Sequence, residues 1–317
     1  MCLSRRQFVQ GVALMSMAGN LPLSGTSSDR AVGGGRKVLR LGGAIFDADP
    51  DPEKLALLHR RLGYRAAYCP EVQLGDRERI RAIREAFARH DVIVAEVGRW
   101  VNLMDADPVK RKEHLQMLID GLALADEIDA RCAVTIAGSR NPSVWYGPDP
   151  GNVSKDFFDL AVENARKIID AVKPKRAVFT YEAMGWSLPD TVEGYLDLIR
   201  AIDRPGFGVH LDPCNLINSP RLYYRSGALI EECFQKLGRW IASCHAKDLD
   251  WVVEMNVHFA EVRPGLGSID YRTYLRQLAG LDRDVPLMTE HLPNAEEYQK
   301  AAQYIQEVGR SIGLHFE

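Results

Sequence analysis

No two of the six cysteines are spaced as C-x-x-C, and none form a compact set, which argues against a disulfide framework or a thiolate metal site. Cys2, Cys69, Cys132, Cys214, Cys233 and Cys244 mostly adjoin apolar runs and read as small buried hydrophobes. Charge of one sign is scarce too: 40 Lys and Arg face 43 Asp and Glu, for a net charge of −3. Nothing in that field attracts nucleic acid or an anionic membrane surface. After "KVLRLGGAIF" (37–46), where a dinucleotide-binding turn would fall, "RLGGAIFDADPD" has no G-x-G-x-x-G. Residues beyond about 36 contain no low-complexity segment, Pro-rich linker or long charge run, so 36–317 reads as one domain.

The N-terminus reads differently. "SRRQFVQGVALMSMAG" sets Ser4, Arg5, Arg6 and Phe8 in the twin-arginine pattern before an apolar stretch. That stretch is too short and too Gly-interrupted for a spanning helix of about 20 residues. Residues 1–35 are therefore expected to be a twin-arginine signal peptide and flexible segment, with the Tat export machinery as a partner and a periplasmic or otherwise exported location. Membrane contact is expected only through this segment.

From residue 37 onward, β-rich runs alternate with helical ones. "DPEKLALLHRRLG" (51–63) shows helical spacing at Leu55, Leu58 and Leu62 and closes at Gly63. "RAAYCP" and "DVIVAEVG" are further strands, each followed by a helix, the second of which opens with Asp107 as cap and Pro108 in its first turn. Strands are also expected at 131–138, 176–183, 206–212, 240–248 and 285–291, with helices at 153–173, 191–202, 227–239, 270–280 and 294–311. Eight strand-then-helix units in one domain give an α/β fold, a single (β/α)₈ barrel of the TIM type.

Active sites of such barrels form at the C-terminal ends of the strands. The fifth strand ends on Glu182, the sixth on Asp212, the seventh on His245 and the eighth on Glu290. Buried carboxylates brought together repel one another unless a cation lies among them. Three oxygen donors and one imidazole suit Mn²⁺ best, with Co²⁺, Mg²⁺ and Zn²⁺ as alternatives. Each residue also has a plainer explanation: Asp212 could cap the turn at Pro213, His245 could be a satisfied core histidine, and Glu290 could pair with His291. A shared metal explains all four at once.

The stretches "ALADEIDARCAVTIAGS", "FTYEA", "GVHLDPCN", "SCHAKD", "RPGLGSIDYRTYLRQL" and "MTEH" resemble the xylose isomerase-like TIM-barrel superfamily, the sugar phosphate isomerase/epimerase group that includes ketose 3-epimerases and inosose dehydratases. The resemblance implies a metal site of Glu182, Asp212, His245 and Glu290, with Glu182 and Glu290 also acting as acid and base on opposite faces of the substrate. It further implies α-proton abstraction from a keto-sugar or sugar derivative through a metal-stabilised enediolate, that is, isomerisation or epimerisation. A 3-keto-glycoside lyase or dehydratase uses the same abstraction followed by β-elimination, and a non-catalytic sugar-binding barrel is the remaining alternative. The superfamily also includes a DNA endonuclease, whose trinuclear zinc cluster needs more His and Asp ligands than this chain offers.

One position departs from the family pattern. Many relatives carry His three residues after the strand-six Asp, and here that residue is Asn215, which can donate a hydrogen bond but cannot act as an acid at neutral pH. Lys247, Arg263, Trp186 and His258 are the other expected substrate contacts, and Asp248 is expected to orient His245 or Lys247. The expected ligand is a small carbohydrate, and a further copy of the chain is an open partner.

Overall fold

A computed structural model describes residues 38–316. Ten strands are formed: β1 (Arg40–Gly42), β2 (Ala66–Tyr68), β3 (Ile93–Gly98), β4 (Cys132–Thr135), β5 (Val178–Glu182), β6 (Phe207–Leu211), β7 (Ile241–Ala246), β8 (Asp248–Trp251), β9 (Phe259–Val262) and β10 (Pro286–Thr289). Eight of them close a parallel barrel in the order β1-β10-β7-β6-β5-β4-β3-β2, so the expected (β/α)₈ architecture is what forms. The remaining two, β8 and β9, pair as an antiparallel hairpin. The expected signal segment, and Cys2 within it, lie outside the described residues.

Most of the described helices begin where a side chain can satisfy their first N–H groups. Asp51 accepts hydrogen bonds from the amides of Glu53 and Lys54, and Pro52 needs none. Asp107 does the same for Val109, ahead of Pro108. Gly63 closes the first helix at φ +78°, a left-handed conformation that favours glycine. Between β6 and the helix Ser226–Leu237 the chain makes two further short helices, Pro213–Leu216 and Pro220–Tyr223.

Most of the apolar core lies between strands and helices. Phe179 and Tyr181 of β5 pack outward with Phe157 and Ala161 of the helix Lys155–Val172. Val209 and Leu211 of β6 pack outward with Leu229 and Ile230 of the helix Ser226–Leu237. Strand alternation then turns Thr180 and Glu182, and His210 and Asp212, the other way, into the barrel. Cys132, Cys214, Cys233 and Cys244 are buried and unbridged, as expected of small hydrophobes, and Cys69 is half-buried.

Candidate active site

Four adjacent strands deliver the expected quartet to one point. Glu182 ends β5, Asp212 follows β6, His245 lies in β7 and Glu290 follows β10. One ligand atom from each falls within 4.8 Å of the others. His245 Nδ1 is 3.1 Å from Glu182 Oε1, 2.8 Å from Glu290 Oε1 and 3.8 Å from Asp212 Oδ2. Asp212 and His245 are fully buried, and Glu182 and Glu290 nearly so.

Lys247, expected as a substrate contact, enters the same cluster and is buried there. Its Nζ lies 2.6 Å from Glu290 Oε1, 2.9 Å from Asp212 Oδ2, 3.9 Å from Glu182 Oε1 and 3.8 Å from Glu261 Oε2. Burial opposes its charge, but Asp212, Glu182 and Glu290 together raise its pKa. Burial pushes the Glu182 carboxyl up, with His245 offsetting only part of the rise. The same burial acts on Glu290, but His245 and Lys247 outweigh it and hold that carboxyl down at about 2.

The inventory fits a divalent ion. Glu182, Asp212, Glu290 and Glu261 meet a single lysine ammonium, leaving an excess of negative charge. Asp212 Oδ2 and Glu290 Oε1 are buried and make no well-formed hydrogen bond; Lys247 Nζ stands at ion-pair distance from both and His245 Nδ1 from Glu290. Buried carboxylates that outnumber their cations are costly, and a divalent ion among them offsets that cost. An oxygen-rich set with one imidazole is the donor chemistry of a divalent metal site.

Beneath this quartet lies a second buried cluster, which sequence reasoning did not identify. Glu96, on β3, accepts at Oε2 from Ser243 Oγ (3.1 Å) and meets His210 Nε2 there (2.7 Å). Its Oε1 is 3.3 Å from His245 Nε2. His245 therefore has a carboxylate on each nitrogen, and Glu96 fixes which nitrogen faces the quartet. His210, two residues before Asp212 in the chain, lies in β6 as the partner of Glu96. The signal available in "IVAEVG" is one carboxylate inside an apolar strand, a residue that must find a partner if it is buried.

The other expected contacts divide. Asn215 lines the cavity and donates through Nδ2 to Glu182 Oε1 at 3.1 Å. Trp186 is 62% exposed and contributes a backbone carbonyl, which accepts from Asn152, rather than a ring at the cavity. His258 pairs with Glu254 at 3.2 Å on the exposed end of the β8–β9 hairpin. Arg263 is tied to Glu297 at 2.8 Å. None of these three is among the described residues lining the cavity. Asp248 orients neither His245 nor Lys247: it accepts the backbone amides of Leu249, Gly265 and Ile269, each at 2.9 Å, and so holds the "RPGLGSID" loop. The hairpin, which starts where the expected strand 240–248 ends and runs on to Val262, adds Glu261 to the cavity. Glu261 in turn meets His291 at 3.0 Å.

The cavity measures about 880 Å³, and its lining includes Glu182, Asn215, Lys247, Glu261, Glu290 and His291 together with Tyr68, Trp100, Trp145 and Tyr146. It opens at the strand ends where barrel enzymes do their chemistry.

The model of the xylose isomerase-like TIM barrel family matches residues 58–308, and the chain belongs to that family. It is 37% identical over 79 residues, 23% of its length, to a 3-dehydroshikimate dehydratase from Neurospora crassa, and that match spans 21% of the relative. A xylose isomerase-like TIM barrel protein from Mycobacterium smegmatis in complex with magnesium superposes with a TM-score of 0.61 at 17% identity, covering 85% of this chain and 96% of that one. A 3-keto-D-glucoside 4-epimerase from E. coli superposes at 0.62 with 11% identity, covering 85% and 99%. Epimerases and a dehydratase thus stand among the proteins this chain is similar to.

Proposed function

We propose that the protein is a divalent-metal-dependent carbohydrate enzyme that removes a proton α to a ketone and passes through an enediolate, with isomerisation or epimerisation as the outcome. The convergence of Glu182, Asp212, His245 and Glu290 from four strands onto one wall of the cavity carries this reading. These four would hold the ion, for which we propose Mn²⁺, and Glu96 would fix the imidazole from behind. A bound divalent ion supplies the positive charge that makes a developing enediolate affordable. Glu182 and Glu290 come from strands at opposite ends of the quartet's arc, and one takes the proton while the other returns it. Asn215 holds Glu182 in place through its amide, and Lys247 donates to a substrate oxygen. The twin-arginine pattern makes periplasmic action part of the same proposal.

A β-elimination, as in a 3-keto-glycoside lyase or a dehydratase, is the second reading, and His291 favours it. Elimination needs an acid for the departing oxygen, which epimerisation does not. His291 lines the cavity beside Glu290 and Glu261, and its contact with Glu261 raises its pKa, so it keeps a proton to give. Loss of the α-hydrogen to Glu290 would then accompany cleavage of the β carbon–oxygen bond, the oxygen leaving with the proton of His291.

The test is hydrogen exchange in D₂O with keto-sugars and 3-keto-glycosides, using the manganese-loaded protein. Deuterium at the α-carbon of an epimerised sugar supports the first reading, and release of the aglycone or of water supports the second. Absence of both, with binding retained, leaves a sugar-binding protein.

A further inference from the structure

Part of the cavity wall is aromatic. Trp100 follows β3, Trp145 and Tyr146 lie in the loop after β4, and all three line the same cavity as Glu182 and Glu290. Trp100 and Tyr146 are 46% and 48% exposed, so the core does not consume their ring surfaces.

These rings are held in place from several directions. Gly98 sits two residues after Glu96 on β3 and so shares its inward face, and a Cβ at that position would come within 3.0 Å of Trp100 Nε1. The bare backbone is what lets the indole lie back over the strand end. Beneath the loop that carries Trp145 and Tyr146, buried Ser139 donates through Oγ to Gly147 O at 2.7 Å. Buried Asn152 donates through Nδ2 to the same carbonyl at 3.0 Å and to Trp186 O at 2.9 Å. Asn141 donates to Pro148 O at 2.7 Å and accepts the amides of Ser143 and Val144 at 2.9 and 2.8 Å. The two rings of that loop meet edge to face with centroids 5.4 Å apart. Buried polar side chains therefore fix a loop that offers aromatic surface to the cavity.

The volume of about 880 Å³ lies near the top of the range for drug-sized ligands and exceeds what one pyranose ring fills. Arg99, next to Trp100 in the chain, also lines the cavity and donates through Nη1 to Gly98 O at 2.9 Å.

We propose that the substrate is a glycoside, a reacting sugar joined to a second ring, and that Trp100, Trp145 and Tyr146 form the subsite for that second ring. This rests on the assignment of the Glu182–Glu290 end as the reacting end. The C–H face of a sugar or the face of an aryl aglycone packs on the rings, and the binding free energy gained there positions the remote reacting carbon.

Calorimetric titration of the full chain with phenyl β-D-glucoside and methyl β-D-glucoside tests the subsite without any chemistry, since neither carries the ketone. The phenyl compound should bind about tenfold more tightly than the methyl compound. Trp100→Ala and Tyr146→Ala, checked for folding by thermal unfolding, should each erase most of that preference, and Trp100→Phe should retain it. Equal binding of the two glucosides, no binding of the phenyl compound at millimolar concentration, a preference that survives both alanine variants, or tighter binding of glucose 6-phosphate would each overturn the proposal. Hydrogen exchange from a free keto-sugar separates this from the reaction assignment: exchange without a ring preference sinks only the subsite, and a ring preference without exchange sinks only the reaction.

Discussion

The two halves of the barrel rim carry opposite kinds of surface. β5, β6, β7 and β10 end in Glu182, Asp212, His245, Lys247 and Glu290, whereas β2, β3 and β4 lead into Tyr68, Trp100, Trp145 and Tyr146. On the first half the side chains come from strands or from the residue or two after them, so barrel register sets their mutual distances. On the second, Tyr68 ends β2, while Trp145 and Tyr146 stand on a loop that side-chain hydrogen bonds hold from beneath. Precise placement of a few atoms is what ion binding and proton transfer require, and broad surface is what ring recognition requires. Two residues cross the division: Glu96, from β3, reaches His210 and His245, and Tyr68, from β2, donates to Thr289 O of β10 at 2.9 Å.

Substitutions can break this comparison, beginning with the charged half. Glu290→Gln keeps the shape and removes the proposed base, and α-hydrogen exchange followed by NMR should fall by about 10²–10⁴-fold. Asp248→Ala strips the partner from the amides of Leu249, Gly265 and Ile269, which should cost roughly 3 kcal/mol, read as a lower thermal midpoint. Glu96→Gln tests one of the crossing residues: the affinity for the ion, measured by competition with a chelator, should drop roughly 10–100-fold while the quartet itself is untouched. Arg263→Ala should have the smallest effect. Its partner is Glu297 on a helix, so stability should change by less than about 1 kcal/mol, with exchange near that of the unmodified protein. A large loss of exchange in Arg263→Ala would place that guanidinium at the substrate and redraw the charged half.

The residues most legible in the sequence were those whose position follows from strand periodicity. Glu182, Asp212, His245 and Glu290 each terminate an apolar run, and strands closing a parallel barrel must carry their ends to one rim. Their convergence therefore needed no knowledge of loops, although their roles are proposals that the experiments above address. Glu96 was hidden because a strand residue reveals its alternation but not which side chain it will meet across the barrel. Trp186, His258 and Arg263 lie near the rim along the chain, yet Trp186 turns outward and Glu254 and Glu297 hold the other two away from the cavity.

The sequence by itself determined the eight-fold alternation, the helix starts at Asp51 and Asp107, and the chemical type of the four converging side chains, because each of these depends on local periodicity or on a cap within a few residues. Only the tertiary structure decided that Lys247 joins the carboxylates, that Glu96 backs His245, and that β8 and β9 form a hairpin bringing Glu261 to the cavity. It also decided that three aromatic rings line the same cavity as the ionisable residues. Those outcomes are contacts between residues far apart in the chain, set by barrel closure and loop anchoring.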